Sequence, residues 1–343
     1  MHTALARPLR RTVVIAGLVA GALALTSCAS ADTDAVGSSS GFDTVTIEHA
    51  LGTAVITEKP ERIITLGMGS PETVIALGTI PVGIEAYPWG SDDTGYLPWI
   101  HEEITELGAE LPPQFTGGTE LDIEAIVELE PDLILAPWSG VTQEQFDILT
   151  DIAPTVAYKD SAWKTTWKEQ MSVIGEAMGE TAKAEKLIEG IETQFAESTA
   201  AHPEFADVSF SYIYTAGPGT LGVFMAEEQR VAMVSALGLQ VDPIVHTLTE
   251  SEGTDSAVIG LENADLLKDS DLIFTFYSSP EERTETEAQE LYKGIPAIAR
   301  GSIVAPTDQS FVTGSSIINP LTVPWVLERF VPQINTAVAT LNK

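Results

Sequence analysis

A single cysteine, Cys28, stands in a chain of 343 residues. A lone thiol has no partner for an internal disulfide and no second sulfur for a thiolate metal cage. Histidine is nearly as scarce. His49, His101, His202 and His246 are scattered, with no HxxxH or HxH spacing, and a direct zinc or manganese site normally needs such clustering with carboxylates. They read as surface or structural histidines, although axial haem ligation by Tyr or His stays open. The G-x-S-x-G match Gly37-Ser38-Ser39-Ser40-Gly41 lies in the Ser- and Gly-rich stretch before the folded part and not at a strand-to-helix elbow, and no Cys/His pair follows residue 28, so no nucleophile is visible and the chain is not expected to be an enzyme. Cations are the third shortage. Seventeen Lys and Arg face 50 Asp and Glu, a formal charge of −33. Without residues 1–27, which hold three arginines and no acids, the charge is −36. Such a surface repels nucleic acid and anionic headgroups. It reads first as a solvated acidic coat and second as a bias against strongly anionic ligands. Five arginines remain beyond residue 27: Arg62, Arg230, Arg283, Arg300 and Arg329. A pocket built on three of them would use most of the supply.

Long apolar runs are also missing beyond the N-terminus. Arg7, Arg10 and Arg11 precede the uncharged, mostly apolar stretch Thr12–Leu25. As a helix that stretch would reach roughly 21 Å, short of the ~30 Å hydrocarbon core of a bilayer, and its length suits a secretory signal peptide. Leu25-Thr26-Ser27-Cys28 resembles the bacterial lipobox, in which the cysteine becomes the lipidated N-terminus. Two or more acyl chains, at roughly 0.8 kcal/mol per buried CH₂, hold a domain on a membrane. Ordinary secretion with an accidental Cys28 is the alternative. Ala29 to Gly41, rich in Ser, Ala, Asp and Gly, reads as a flexible tether. The expected organisation is a lipoprotein signal peptide over 1–27, a tether over 28–42, an N-terminal lobe over 43–180, an inter-lobe helix over 181–201 and a C-terminal lobe over 202–343.

About 300 residues beyond the tether suggest two lobes on a prior of roughly 150 residues per domain. The text RIITLGMGSPETVIALGTIPVGI reads as strand, turn, helix, strand. Ser70-Pro71 makes an N-cap and N1 pair, and Gly78 ends the helix. A helix from about Asp122 and the strand Asp132–Ala136 follow. Short strands alternating with helices argue for parallel α/β units. The text returns in the second half: PDLILAPWS at 131–139 aligns with SDLIFTFYS at 270–278, which places Trp138 on Tyr277 and Ser139 on Ser278. ETVIALG at 72–78 echoes AMVSALG at 232–238 at a different offset, as in two similar lobes with unequal loops. Between the halves, Trp167, Met171, Ile174 and Met178 line one helix face, with Gly179 as its stop. Thr181 then caps a second helix carrying Leu187, Ile188, Ile191 and Phe195, which would span roughly 30 Å. The fold class is therefore α/β, two Rossmann-like lobes joined by a single long helix with a ligand cleft between them.

An anchored chain of this layout resembles a substrate-binding protein of an ABC importer. More narrowly it is similar to the ferric-siderophore and cobalamin clan, especially the iron-siderophore lipoproteins of actinobacteria. LGMGSPETVIALGTIPVGI, IEAIVELEPDLILAPWSGVTQEQFDILTDIAPTVAY, WKEQMSVIGEAMGE, PAIARGSIV and SSIINPLTVPWVLERFVPQI carry the likeness over most of 42–335. The resemblance implies capture of a ferric siderophore without a resident cofactor, and delivery to a permease dimer with its ATPase. It also implies a monomer, lipid-anchored through Cys28 on the extracytoplasmic face of the membrane. A haem or cobalamin carrier, or an anchored adhesion domain without transport, is the alternative.

Ligands of open α/β lobes bind beyond the carboxyl ends of the strands, and the loops there are rich in aromatics that suit a large apolar chelate. Trp138, Ser139, Phe224 and Tyr277 are read as ligand contacts, with Trp89 beside them, while Trp99 reads as packing. Arg230 opens a helix next to Phe224 and is suited to donate to hydroxamate or carbonyl oxygens. A salt bridge to Glu227 or Glu228 is its structural alternative, and the resemblance tilts it towards ligand contact. Met68 and Ser70, in the turn GMGS after the first strand, are also read as ligand contacts; GMGS lacks the third glycine of a dinucleotide fingerprint. The resemblance further implies one docking glutamate per lobe for arginines on the permease: Glu72, and Glu262 with Glu228 as its alternative. Burying the roughly three negative charges of a ferric tricatecholate without cations is costly, so a neutral or cationic hydroxamate chelate is favoured.

Overall fold

The computed structural model describes residues 41–251 and 254–341. The expected signal peptide, Cys28 and most of the tether lie outside them. No described helix is long and apolar enough to cross a membrane.

A hairpin of β1 (Val45–His49) and β2 (Gly52–Ile56) opens the folded part. The first lobe then alternates strands and helices. These are β3 (Ile63–Thr65), α1 (Ser70–Ala76), β4 (Gly83–Glu85), α2 (Pro98–Glu106), β5 (Gln114–Phe115), α3 (Ile123–Glu128), β6 (Leu133–Leu135), α4 (Gln143–Ile152) and β7 (Thr155–Val156). The strands form one parallel sheet of order β5-β4-β3-β6-β7. The runs IIT of β3 and LIL of β6 are buried throughout, as a sheet covered by helices on both faces requires.

Two helices come next, α5 (Trp167–Ala177) and α6 (Thr181–Ala201). Thr166 caps α5 in a reciprocal box with Glu169, and Gly179 takes a positive φ of 66° at its end. The cap of α6 differs from expectation: Glu180, not Thr181, is the N-cap residue and makes no side-chain cap bond. Its carboxylate is held instead by Lys59 at 2.6 Å and Lys183 at 2.9 Å. Along α6, Ala184 joins the core that holds Ile63, Leu133 and Val156, whereas Ile191 and Phe195 join the core that holds Phe210, Tyr212 and Phe274. One helix thus buries its first half in one lobe and its second half in the other.

The second lobe comprises β8 (Ser209–Tyr214), β9 (Gly222–Phe224), α7 (Gln229–Ala236), β10 (Gln240–Val241), β11 (Ser256–Val258) and β12 (Leu272–Phe274), then α8 (Pro280–Ala288), α9 (Glu290–Lys293), α10 (Pro296–Arg300), β13 (Ile303–Val304), α11 (Gln309–Gly314) and α12 (Thr322–Val338). Its sheet runs β11-β9-β8-β12-β13, with β10 beside β8. β8, β10, β12 and β13 are parallel, and β9 and β11 pair antiparallel. Away from α6 the lobes also meet where Trp99 of α2 packs edge-on against Trp325 of α12, ring centres 5.3 Å apart. The mixed α/β fold and its two sheets agree with the expected fold class.

Candidate ligand cleft

The carboxyl ends of β6, β8 and β12, with the end of β9, face a cleft of about 620 Å³ between the lobes. Trp138 enters from the turn after β6, and Trp163 from the loop between β7 and α5. Tyr214 closes β8, Phe224 closes β9 and Phe276 lies just beyond β12. The loop geometry is demanding. A Cβ on Gly67 would lie 1.8 Å from the carbonyl oxygen of Trp138, so only glycine lets the β3 turn sit against that backbone. Trp163 has a φ of 65°, a strained conformation for a bulky residue and one that clusters at ligand-binding positions. Its ring packs edge-on to Trp138 at 4.8 Å and remains 41% exposed.

Arg230 supplies the guanidinium of the cleft wall, which Lys164 also lines. It stands in the first turn of α7, whose N-cap Glu228 accepts the Arg230 backbone N–H at 2.8 Å. The guanidinium lies over the rings of Phe224 at 4.6 Å and Phe276 at 5.7 Å, donates from Nε to Ser316 Oγ at 3.1 Å and from Nη1 to Glu228. Both sequence alternatives for this arginine are therefore present together, a carboxylate pair and a place in the cleft wall. Nη2 donates to no acceptor among the described residues. Burial pushes the Glu228 carboxyl up to about 7, with Arg230 pulling it back.

The structure brings Trp138, Phe224 and Arg230 together and places the other expected residues elsewhere. Tyr277 is fully buried, its hydroxyl bonded to that of Tyr292 at 2.8 Å; the residue before it, Phe276, lines the cleft instead. Ser139 is buried and donates to the Ala136 carbonyl at 2.8 Å. Ser70 is buried as the first residue of α1, whose N-cap is Gly69 at φ 82° rather than Ser70. The Met68 carbonyl and the Ser70 hydroxyl both meet Gln170 Nε2, at 2.8 and 3.3 Å. Trp89 is 40% exposed and lies outside the cleft lining. Glu72 corrects an expectation outright: it is fully buried, accepting the Gly69 N–H and the Trp99 indole N–H at 2.8 Å each. That carboxylate is not presented to any partner. Glu262 is exposed at the start of the 3-10 segment Leu261–Leu267.

Trp163, Phe276 and Tyr214 escaped the sequence reading, as did Lys164, whose ammonium reaches Glu250 of the other lobe at 2.6 Å. The signal for Trp163 was present, a tryptophan in the polar run DSAWKTT, but no periodicity marks a loop residue. Among the described residues no group of three or more His, Cys, Asp or Glu is arranged to hold a metal.

A two-lobed α/β protein with an aromatic cleft between its sheets is the architecture of an extracytoplasmic solute-binding protein. The chain belongs to the periplasmic binding protein family, whose model matches residues 63–309. It is 32% identical over 168 residues to the probable siderophore-binding lipoprotein YfiY of Bacillus subtilis, a match covering 48% of each chain. It is 27% identical over 225 residues to the Fe(3+) dicitrate-binding periplasmic protein FecB of Escherichia coli, 63% of this chain and 67% of that protein. The chain thus spans about half the length of the Bacillus relative it matches. Among solved structures it resembles Streptococcus pneumoniae PiaA in complex with ferrichrome, with a TM-score of 0.79 and 28% identity over 86% of this chain and 99% of that one.

Proposed function

We propose that this chain captures a ferric siderophore, of the hydroxamate type, and delivers it to an ABC importer. Arg230 carries the reading. A single guanidinium stacked between two phenyl rings in an aromatic cleft, with one terminal nitrogen unused, suits the oxygen-rich face of a chelate whose flanks are apolar. The two cations of the cleft wall, Arg230 and Lys164, are each already paired with a carboxylate, Glu228 and Glu250, and are a poor match for a chelate carrying several negative charges. Trp138, Trp163, Phe224 and Phe276 supply the apolar walls. Iron arrives inside its chelate as cargo, and the protein acts by binding rather than by catalysis. The likeness to the ferrichrome-bound PiaA supports this choice of ligand class.

The remaining parts of the proposal rest on sequence. Residues 1–27 act as a lipoprotein signal peptide and Cys28 as the lipid attachment point, which places the protein on the extracytoplasmic face of the cell membrane. The likeness to a Bacillus protein named as a lipoprotein supports this. It works as a monomer that presents Glu262 to the permease dimer with its ATPase; the docking group of the first lobe is unassigned, because Glu72 is buried.

The test is a tryptophan-fluorescence titration of the purified protein with ferric hydroxamates, ferric catecholates, haemin and cobalamin, each beside its metal-free control. Saturable quenching by a ferric hydroxamate is expected, since Trp138 and Trp163 line the cleft. In Arg230→Ala the affinity should fall by about 1–3 kcal/mol. Quenching by haemin or cobalamin alone would overturn the ligand assignment.

A further inference from the structure

Side chains of a strand ordinarily stand away from the sheet, and Tyr214, the last residue of β8, lines the cleft without doing so. Its ring crosses the neighbouring strand β9 over Gly222, the residue it pairs with. Its hydroxyl meets Ser256 Oγ at 3.0 Å, on β11, the next strand out. The side chain therefore lies along the sheet and spans a whole strand. A Cβ on Gly222 would fall 2.2 Å from both Cε1 and Cζ of that ring and 2.7 Å from its hydroxyl oxygen. Gly222 is not among the glycines with a positive φ, so its backbone does not call for glycine. The ring lying on it does.

The crossing ring is held on its other sides. It packs against Phe224, ring centres 4.9 Å apart, and the Phe224 ring in turn lies 4.6 Å from the Arg230 guanidinium. Ser256 is buried, and its hydroxyl oxygen donates onward to Thr254 Oγ1 at 3.3 Å. Tyr214, Phe224, Arg230, Thr254 and Ser256 all line the cleft, so the open side for a displaced ring is the cleft itself. A methyl group at position 222 would lift the tyrosine into the space a chelate needs and pull its hydroxyl from Ser256. It would also disturb the phenyl ring that carries the guanidinium. A flat tyrosine gives the cleft a broad aromatic floor, and a standing one would fill part of it.

We propose that Gly222 and Ser256 are positioning residues that hold Tyr214 flat and so set the room available to the chelate, a role that rests on the capture function proposed above. The test is titration of the variants with ferrichrome. The atoms in the way of a Cβ belong to the far end of a side chain, so Gly222→Ala is expected to fold and to bind about tenfold more weakly, the scale of overpacking by one methyl. In the Tyr214→Ala background the same substitution should cost no further affinity, because the ring it acts through is gone. A tenfold loss that persists without the ring, or unchanged binding in Gly222→Ala alone, would overturn the role. Tyr214→Phe and Ser256→Ala approach it without touching the glycine, each removing the same hydrogen bond from one end. Each should weaken ferrichrome binding by about threefold to tenfold, and the two combined no more than either alone. Losses that multiply, or none in either variant, would overturn the role while leaving chelate capture standing. Failure of ferrichrome to bind the unaltered protein would overturn both.

Discussion

In the first lobe the strand Leu133–Leu135 runs on through Pro137 to Trp138, which turns its ring to the cleft. In the second, Leu272–Phe274 runs on through Thr275 to Phe276, which turns to the cleft, and Tyr277 points back into the lobe. The two strands hold equivalent places: Ile63 pairs with Leu133 as Phe210 pairs with Leu272. Their continuations part by one residue. Tyr277 finds a buried partner in the Tyr292 hydroxyl, so the core keeps it. The Trp138 ring lines the cleft, with its indole N–H buried and unpartnered. Ser139 is buried on the Ala136 carbonyl, whereas Ser278 is exposed and bonded to Glu282. Repeated text preserves the strand and its register, while the residues just past the strand end are placed by their local partners.

The helices beside these strands differ in the same way. α1 begins five residues after β3, while α7 comes after β8 only once the antiparallel strand β9 has been inserted. Each helix starts beside a buried carboxylate. Glu72 is held by neutral donors, the Gly69 N–H and the Trp99 indole, and Glu228 by the Arg230 guanidinium. Burial raises both above the ordinary carboxylate range. The first lobe uses its carboxylate to fix α2 against α1, and the second uses its own to aim a cation at the cleft.

The comparison can be broken most severely at the element the lobes share. Ile191 is buried in α6 against the second core, so Ile191→Ala should cost about 2–5 kcal/mol, measured by chemical denaturation, with both lobes unfolding in one transition. Separate transitions would mean that α6 does not couple them. Trp138→Ala should next weaken ferric hydroxamate binding by roughly 2–3 kcal/mol, as loss of a central aromatic anchor does, whereas Tyr277→Phe should leave the affinity unchanged; equal losses in titration would erase the distinction between the two positions.

The buried carboxylates sharpen the contrast through pH. A carboxyl raised in the folded state binds a proton more tightly there than in the unfolded chain. Its stabilisation is therefore full below about 4.5 and lost as pH rises through the folded value, about 7 for Glu228. Unfolding free energy should fall across that window by on the order of 3 kcal/mol for this group, and Glu228→Gln should flatten the slope. A slope unchanged in the variant would show that Glu228 is ionised throughout. The smallest effect is expected at Tyr292→Phe, which removes one buried hydrogen bond and should cost about 1 kcal/mol with ligand binding intact.

Much of the layout was legible in the residue pattern. The alternation of short apolar strands with helices, the bridging face of Leu187, Ile191 and Phe195, and the pairing of 131–139 with 270–278 all survive in the fold. Of the cleft residues, Trp138, Phe224 and Arg230 were legible because each sits at an element end that topology sends to one rim. Trp163, Phe276 and Asp255 were not, because they lie in loops where no period marks the inward face.

The sequence by itself determined the elements, their order and the scarcity of cations, since propensity, periodicity and charge are local or additive properties. Only the tertiary structure decided which of two adjacent aromatics meets the cleft, which glutamate is sealed under a tryptophan and which polar atoms are left without partners. Those outcomes turn on distances between residues far apart in the chain, and a one-residue shift at a strand end reverses them.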